Sequence, residues 1–286
     1  MYELFIWAAL FVWLAGVPLA LRWLRLPLPK GLWPAYCAAP FAFFGARLVN
    51  VLLYSSPAER LADTGFGAFT LYGGLMLGAV AALLLAKAVR LPARRYFDAL
   101  APVCGLCIAV MRVGCVTAGC CFGVPARLPW AIIPPYGGAA HSMQLETGQI
   151  GRALIGLPEP PLPIHPTQAY ELIAALLAAA VAVILIKKHA KNGVPAAAFG
   201  LTLSTLRLAI FFFRAFPGET SLSLFFRGPV LFGASIVFFA GILVWLLNMI
   251  KRVCRRGNRK NGEKEKVRKR PRPRPPGKAP NRRHIL

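Results

Sequence analysis

The amino-acid sequence predicts an all-α, polytopic integral membrane protein with seven transmembrane helices and a disordered basic C-terminal tail. Three observations carry that prediction. The chain of 286 residues is 57% hydrophobic and only 15% charged, with a mean hydropathy of +0.57, far too apolar for a water-soluble domain of this size. It holds seven apolar stretches of about 20 residues, the length a helix needs to cross a hydrocarbon core roughly 30 Å thick. The connections between those stretches alternate between basic and charge-balanced, as connections on opposite sides of a membrane do. A cytosolic globular enzyme is excluded.

In order, the spans are expected at 4–21, 32–53, 66–88, 97–117, 168–186, 196–216 and 229–250. The first lacks a basic n-region and a small-residue cleavage site, so it reads as a retained span, not a signal peptide. Arg22, Arg25 and Lys30 follow span 1, Arg90, Arg94 and Arg95 follow span 3, and Lys187, Lys188 and Lys191 follow span 5. Basic connections stay on the cytoplasmic side, and the connections after spans 2, 4 and 6 are balanced. The N-terminus is therefore expected outside and the C-terminus inside.

Two regions result: a membrane domain over 1–250, with an outer loop at 118–164, and a polybasic tail over 251–286. That tail holds 16 Lys and Arg against two Glu, and so carries +14 of the formal net charge of +24. Its composition cannot bury enough apolar surface to fold. Anionic lipid at the inner leaflet is the expected partner, at about 1 kcal/mol per basic residue near the surface, and no specific nucleic-acid partner is expected. Seven cysteines scattered among long apolar runs do not form a secreted disulfide framework, and their odd number leaves at least one thiol unpaired.

Ionisable groups within a span cost at least about 2.5–3.5 kcal/mol each on insertion scales and so mark function. Here they gather: Arg47 and Asn50 in span 2, Arg112 in span 4, His165 through Glu171 at the start of span 5, Arg207 in span 6 and Arg214 at its end. With the orientation above, all lie toward the outer side and converge on one cavity. Guanidinium is permanently charged and its planar fork matches phosphate, so three arginines point to an anionic ligand. Arg207 and Arg214 are two helical turns apart and share a face. Pro166 suits a first helical turn, which puts Glu171 near the positive end of the helix dipole. Gln168 and Glu171, three apart, face the same way and serve as acceptors.

Span 4 ends in a glycine-punctuated run, Arg112-Val113-Gly114-Cys115-Val116-Thr117-Ala118-Gly119-Cys120-Cys121-Phe122-Gly123. Helical spacing puts Cys104, Cys107 and Cys115 on one face, but membrane cysteines more often pack as small hydrophobes. No metal site and no cofactor are expected, and Cys120 and Cys121 are read as polar lining or redox-active. Gly73 and Gly74, beside Tyr72, permit close approach of a helix or a lipid.

Tyr72-Gly73-Gly74-Leu75, the run from Arg112 to Gly123, His165-Pro166-Thr167-Gln168-Ala169-Tyr170-Glu171, and Arg207 followed by Arg214 occur in the order and spacing of the prolipoprotein diacylglyceryl transferases, which the chain resembles from about residue 47 to 250. The resemblance implies a seven-helix enzyme of the bacterial inner membrane with its N-terminus outside. It implies transfer of a diacylglyceryl group from phosphatidylglycerol to the cysteine thiol of lipobox-containing preproteins, with release of glycerol phosphate. Arg112 and Arg207 fall on the family's essential arginines, expected to hold the phosphate and offset charge on the leaving group. Tyr72 and His165 join them as candidate catalytic residues. Gly73, Gly74, Gly123, Gln168, Glu171, Arg214, Cys115, Cys120 and Cys121 are the candidate substrate-binding set. The sequence departs from the family at Tyr72 for a histidine, Cys115 for an asparagine, Cys120 for a glutamate and Phe211 for an acid. A tyrosine is a poor base near neutral pH, with an ordinary pKa near 10. A non-catalytic protein of the same fold that binds or moves anionic lipid is the alternative implied by those losses.

Overall fold

The computed structural model describes residues 2–53, 70–152, 156–216 and 224–268. Its elements are α1 (Tyr2–Trp23), α2 (Leu28–Leu53), α3 (Leu71–Ala88), α4 (Ala93–Ala118), a short α5 (Ala139–Glu146), α6 (Thr167–Lys187), α7 (Val194–Phe211), a π-turn (Phe226–Val230) and α8 (Leu231–Arg268). The protein is an all-helical polytopic membrane protein. The chain divides into two compact units, Met1–Leu243 and Val244–Leu286, and all the geometry that positions the site lies in the first.

Among the described residues six helical stretches are long and apolar enough to span a bilayer: Tyr2–Trp23, Leu71–Ala88, Ala93–Ala118, Thr167–Lys187, Val194–Phe211 and Gly228–Met249. The expected second span is a 26-residue helix, α2, but it does not join the six. Pro34, Pro40, Lys30, Tyr36 and Arg47 dilute its apolar run. Residues 66–69 of the expected third span, and the Asn50 side chain, lie outside the described residues. The helix of the expected sixth span, α7, stops at Phe211, not at residue 216.

The final helix runs on to Arg268, whereas residues 251–286 were expected to lack structure. Lys, Arg and Glu are good helix formers, and extending an existing helix avoids the cost of nucleation. Residues 269–286 of the expected tail lie outside the described residues.

The helices meet through small residues. Ala35, Ala38, Ala81, Ala82, Ala86 and Ala99 pack with Val17, Leu21 and Tyr96 where α1, α2, α3 and α4 adjoin. Ala101, Ala109, Ala175, Ala178 and Ala182 pack with Phe199 and Leu203 where α4, α6 and α7 adjoin. Close backbone approach of this kind is how helices associate in lipid, where apolar side chains gain little by leaving the solvent. The large side chains instead face outward: Phe11 is 71% exposed, Leu84 61% and Val237 73%. In water such a surface would be an aggregation liability; against hydrocarbon it is the favoured one.

Gly73 and Gly74 face α2. A Cβ on Gly73 would collide with the Gly45 carbonyl oxygen and Val49, and one on Gly74 would crowd the Ala42 carbonyl. Their described neighbours are therefore a helix backbone, which is the first of the two roles expected of them.

The outer loop is a built structure. Phe122, Ala140, Met143, Ile164 and Ala215 form a small core of their own. Gln144 clamps Leu162 at both ends, donating to its carbonyl (3.0 Å) and accepting from its amide (2.8 Å), and His141 Nε2 lies 2.8 Å from the Glu159 carbonyl.

Candidate functional site

Three chain segments are stitched together at one end of α4, α6 and α7. After Ala118, Gly119 takes a left-handed conformation (φ 63°) and closes α4, and Cys121 takes another (φ 59°). The chain then runs antiparallel to two neighbours. Val124 N donates to Phe213 O and Ala215 N to Phe122 O, both at 3.0 Å, while His165 N donates to Val124 O at 3.1 Å. Gly123 sits at the crossing, where a Cβ would collide with His165 and the Phe213 carbonyl. Thr167 Oγ1 donates to Cys121 O (2.7 Å) and Gln168 Nε2 to Cys120 O (2.8 Å), so the start of α6 holds the loop by its carbonyls. Gln168 thus acts as a donor here, not only as the acceptor its position suggested.

The stitching brings four charged side chains together. Glu171, buried in the second turn of α6, meets Arg112 Nε at 2.6 Å, Arg207 Nη2 at 3.2 Å and Arg214 Nη1 at 3.4 Å. One carboxylate cannot neutralise three guanidiniums, and two positive charges remain in a buried cluster. The Arg207 and Arg214 Nε atoms are also buried without an acceptor among the described residues. Buried donors are rarely left unmatched, and the arrangement can accept an anion. Arg214 reaches it by a different route from the one expected: α7 ends at Phe211, and the turn through residues 212–214 and the bridge to Gly123 deliver it.

Tyr72 is buried and supports Arg207. Its ring lies under the guanidinium, 5.5 Å from centroid to Cζ, and meets Phe232 edge-on at 5.1 Å. Its hydroxyl is bonded to Ser204 Oγ at 3.3 Å. Ser204 escaped the sequence reading, although its position three residues before Arg207 puts it on the same helix face. Phe211, where the family carries an acid, packs among Phe212, Phe216 and Phe232 as an apolar wall.

His165 turns toward different partners. Its Nδ1 lies 3.4 Å from Tyr170 Oη, whose hydroxyl accepts from Trp130 Nε1 at 2.7 Å, and its ring packs on Phe213.

The cysteines group otherwise than the helical spacing suggested. Cys115 leaves Cys104 and Cys107 and joins Cys120 and Cys121, with all three Sγ atoms within 4.8 Å of one another, while Cys107 donates to Ala9 O from the other part of the helix. Arg112 Nη1 points at Cys115 Sγ (3.6 Å) and Cys121 Sγ (3.8 Å), and Arg214 Nη2 at Cys121 Sγ (3.0 Å). The Cys115 and Cys120 thiols, then Arg214 and Arg112, hold the Cys121 thiol far below its ordinary range despite burial. Contacts with the Cys115 and Cys121 thiols, together with burial, push Cys120 up. Tyr2, at the start of α1, lies near enough to interact with all three sulfurs and Arg112, a contact no local sequence pattern announces.

Comparison with known proteins bears on this arrangement. The family described as prolipoprotein diacylglyceryl transferase matches residues 2–258. Similar proteins include the phosphatidylglycerol–prolipoprotein diacylglyceryl transferase of Clostridium tetani, 28% identical over 161 residues, which cover 56% of this chain and 56% of the relative. The protein of that name from Paenarthrobacter aurescens is 28% identical over 221 residues, 73% of this chain and 66% of the relative. That from Bifidobacterium adolescentis is 31% identical over 166 residues, 54% and 47%. The chain spans about half to two thirds of the length of these curated relatives.

Proposed function

Because the chain belongs to the prolipoprotein diacylglyceryl transferase family, we propose that it transfers a diacylglyceryl group from phosphatidylglycerol to the cysteine thiol of a lipobox-containing preprotein. The observation that carries this reading is the surplus of two positive charges around Glu171. A phosphodiester, with its single negative charge, in contact with Arg112, Arg207 and Arg214 would offset one of the two surplus charges and supply the missing acceptors. In the reaction the acceptor thiol loses its proton to solvent, its sulfur bonds to the terminal glycerol carbon, and the bond from that carbon to the phosphate oxygen breaks. Glycerol phosphate leaves with the electron pair. Guanidiniums already in place around the phosphate stabilise the charge that grows on it, and such preorganised donors are commonly worth about 10²–10³ in rate each.

The supporting residues follow from this role. Tyr72 and Ser204 orient Arg207, while Gln168 and Thr167 hold the Cys120–Cys121 turn that backs Arg112 and Arg214. His165 is a positioning residue at the rim, through Tyr170 and Trp130. Glu171 keeps three like charges together in one buried site. The orientation proposed is N-terminus out and C-terminus in, with α2 as the seventh span and the basic tail against anionic lipid, as the basic connections support. The test is release of glycerol phosphate by the purified protein in phosphatidylglycerol vesicles. Release that requires both lipid and lipobox peptide supports the reading; bound phosphatidylglycerol without turnover contradicts it and favours a lipid-binding protein.

A further inference from the structure

The sulfur cluster goes beyond what lipid transfer requires. Three thiols from two parts of the chain converge, with their Sγ atoms all within 4.8 Å of one another. Metal–sulfur bonds of about 2.3 Å in a trigonal plane put the sulfurs about 4 Å apart, so the three close on a shared ion with movements below about 1 Å. The turn is set for it. Left-handed Gly119 and Cys121 bring two successive side chains back toward Cys115, and Gln168 and Thr167 fix the carbonyls of Cys120 and Cys121. Cys115 is buried, whereas Cys120 and Cys121 are partly exposed and leave a way in.

The surroundings select the class of ion. Thiolates favour soft cations such as copper(I), and also zinc. Arg112 and Arg214 aim N–H groups at the sulfurs, where donors to ligand atoms orient them and tune the metal. The arginines and Glu171 contribute a net charge of two positive, and three thiolates with one monovalent cation contribute two negative. A monovalent ion therefore makes the buried assembly neutral, and a divalent ion leaves it charged. A disulfide is the poorer match, since it would pair two of the three sulfurs and strand the third.

We infer that Cys115, Cys120 and Cys121 form a three-thiolate site for a soft monovalent cation, of which copper(I) is the biological representative. Coordination displaces the thiol protons to solvent, so uptake releases up to three protons per ion. The site stands on sulfur geometry, and its charge match applies to the lipid-free protein, since a bound phosphate draws on the same arginines.

The experiment is anaerobic titration of the reduced full-length protein in detergent with copper(I), against a chromophoric copper(I) chelator. One equivalent taken up, weakened at least tenfold in each of Cys115→Ser, Cys120→Ser and Cys121→Ser and kept in Cys104→Ser/Cys107→Ser, supports the site. No uptake by the reduced wild-type protein, uptake unchanged in those single variants, or zinc(II) retained in preference to copper(I) overturns it. Alkylation of the wild-type protein decides the matter without any variant. One equivalent of copper(I) should protect Cys115, Cys120 and Cys121 while leaving the rates at Cys37, Cys104 and Cys107 unchanged; protection elsewhere, with these three still reactive, also overturns the assignment.

Discussion

Two carboxylates are buried among the described residues, Asp98 at 2% exposure and Glu171 at 4%, and their surroundings differ in kind. Asp98, in the second turn of α4, accepts from Gly193 N at 2.7 Å and Ala196 N at 2.9 Å. It thereby satisfies the open amides at the start of α7 and faces the positive end of that helix. Its charge is met directly by two neutral donors, with Arg95 acting on it as the one charged neighbour among the described residues. Glu171 is met by three full charges, and two of them remain. The first arrangement is what stable helix packing asks for; the second makes the bundle harder to fold and is accounted for by a ligand that completes it.

The largest effect should come from removing the surplus. Arg112→Ala and Arg207→Ala are each expected to lower transfer at least about 10²-fold. Glu171 keeps two partners in either variant, so circular dichroism and thermal unfolding in detergent should stay near wild type. Replacing the carboxylate acts the other way. Glu171→Gln leaves three guanidiniums facing one another and should cost about 3–5 kcal/mol of stability, the range for breaking a buried ion pair. Phosphatidylglycerol should restore much of the lost thermal stability, because its phosphate takes the place of the missing charge, and a zwitterionic lipid should not.

Asp98→Ala tests the contrast at the other carboxylate. It should cost about 1–3 kcal/mol by stranding buried amides, with activity per folded molecule unchanged and no selective rescue by anionic lipid. The smallest effect is expected of Tyr72→Phe. It loses the Ser204 contact but keeps the ring under Arg207, and its kcat/KM should change by less than about threefold, whereas Tyr72→Ala should do clear damage.

The two carboxylates also mark how far the sequence can be read. Arg112, Glu171, Arg207 and Arg214 stand out because charge inside an apolar run is costly, and helix existence follows from run length alone. What escaped depends on turns. Cys115 was legible only as a helical neighbour of Cys104 and Cys107, since its pairing with Cys120 and Cys121 depends on two left-handed residues beyond the helix end. Arg214 was placed by helical periodicity, yet a turn and a backbone bridge deliver it. Asp98 gave no signal, because its partners are backbone amides 95 and 98 residues away. Gly73 was legible as a site of close approach, but not that α2 is its neighbour. The helix through residues 251–268 was hidden by a basic composition that also suits a disordered chain.

The most direct measurement is mass spectrometry of a lipobox peptide after incubation with the wild-type protein and with Arg112→Ala, each reconstituted with phosphatidylglycerol. The account predicts a diacylglyceryl adduct on the peptide cysteine with the wild-type protein and almost none with the variant. Equal adduct with both would contradict the central claim that the surplus charge around Glu171 is what holds and activates the phosphate.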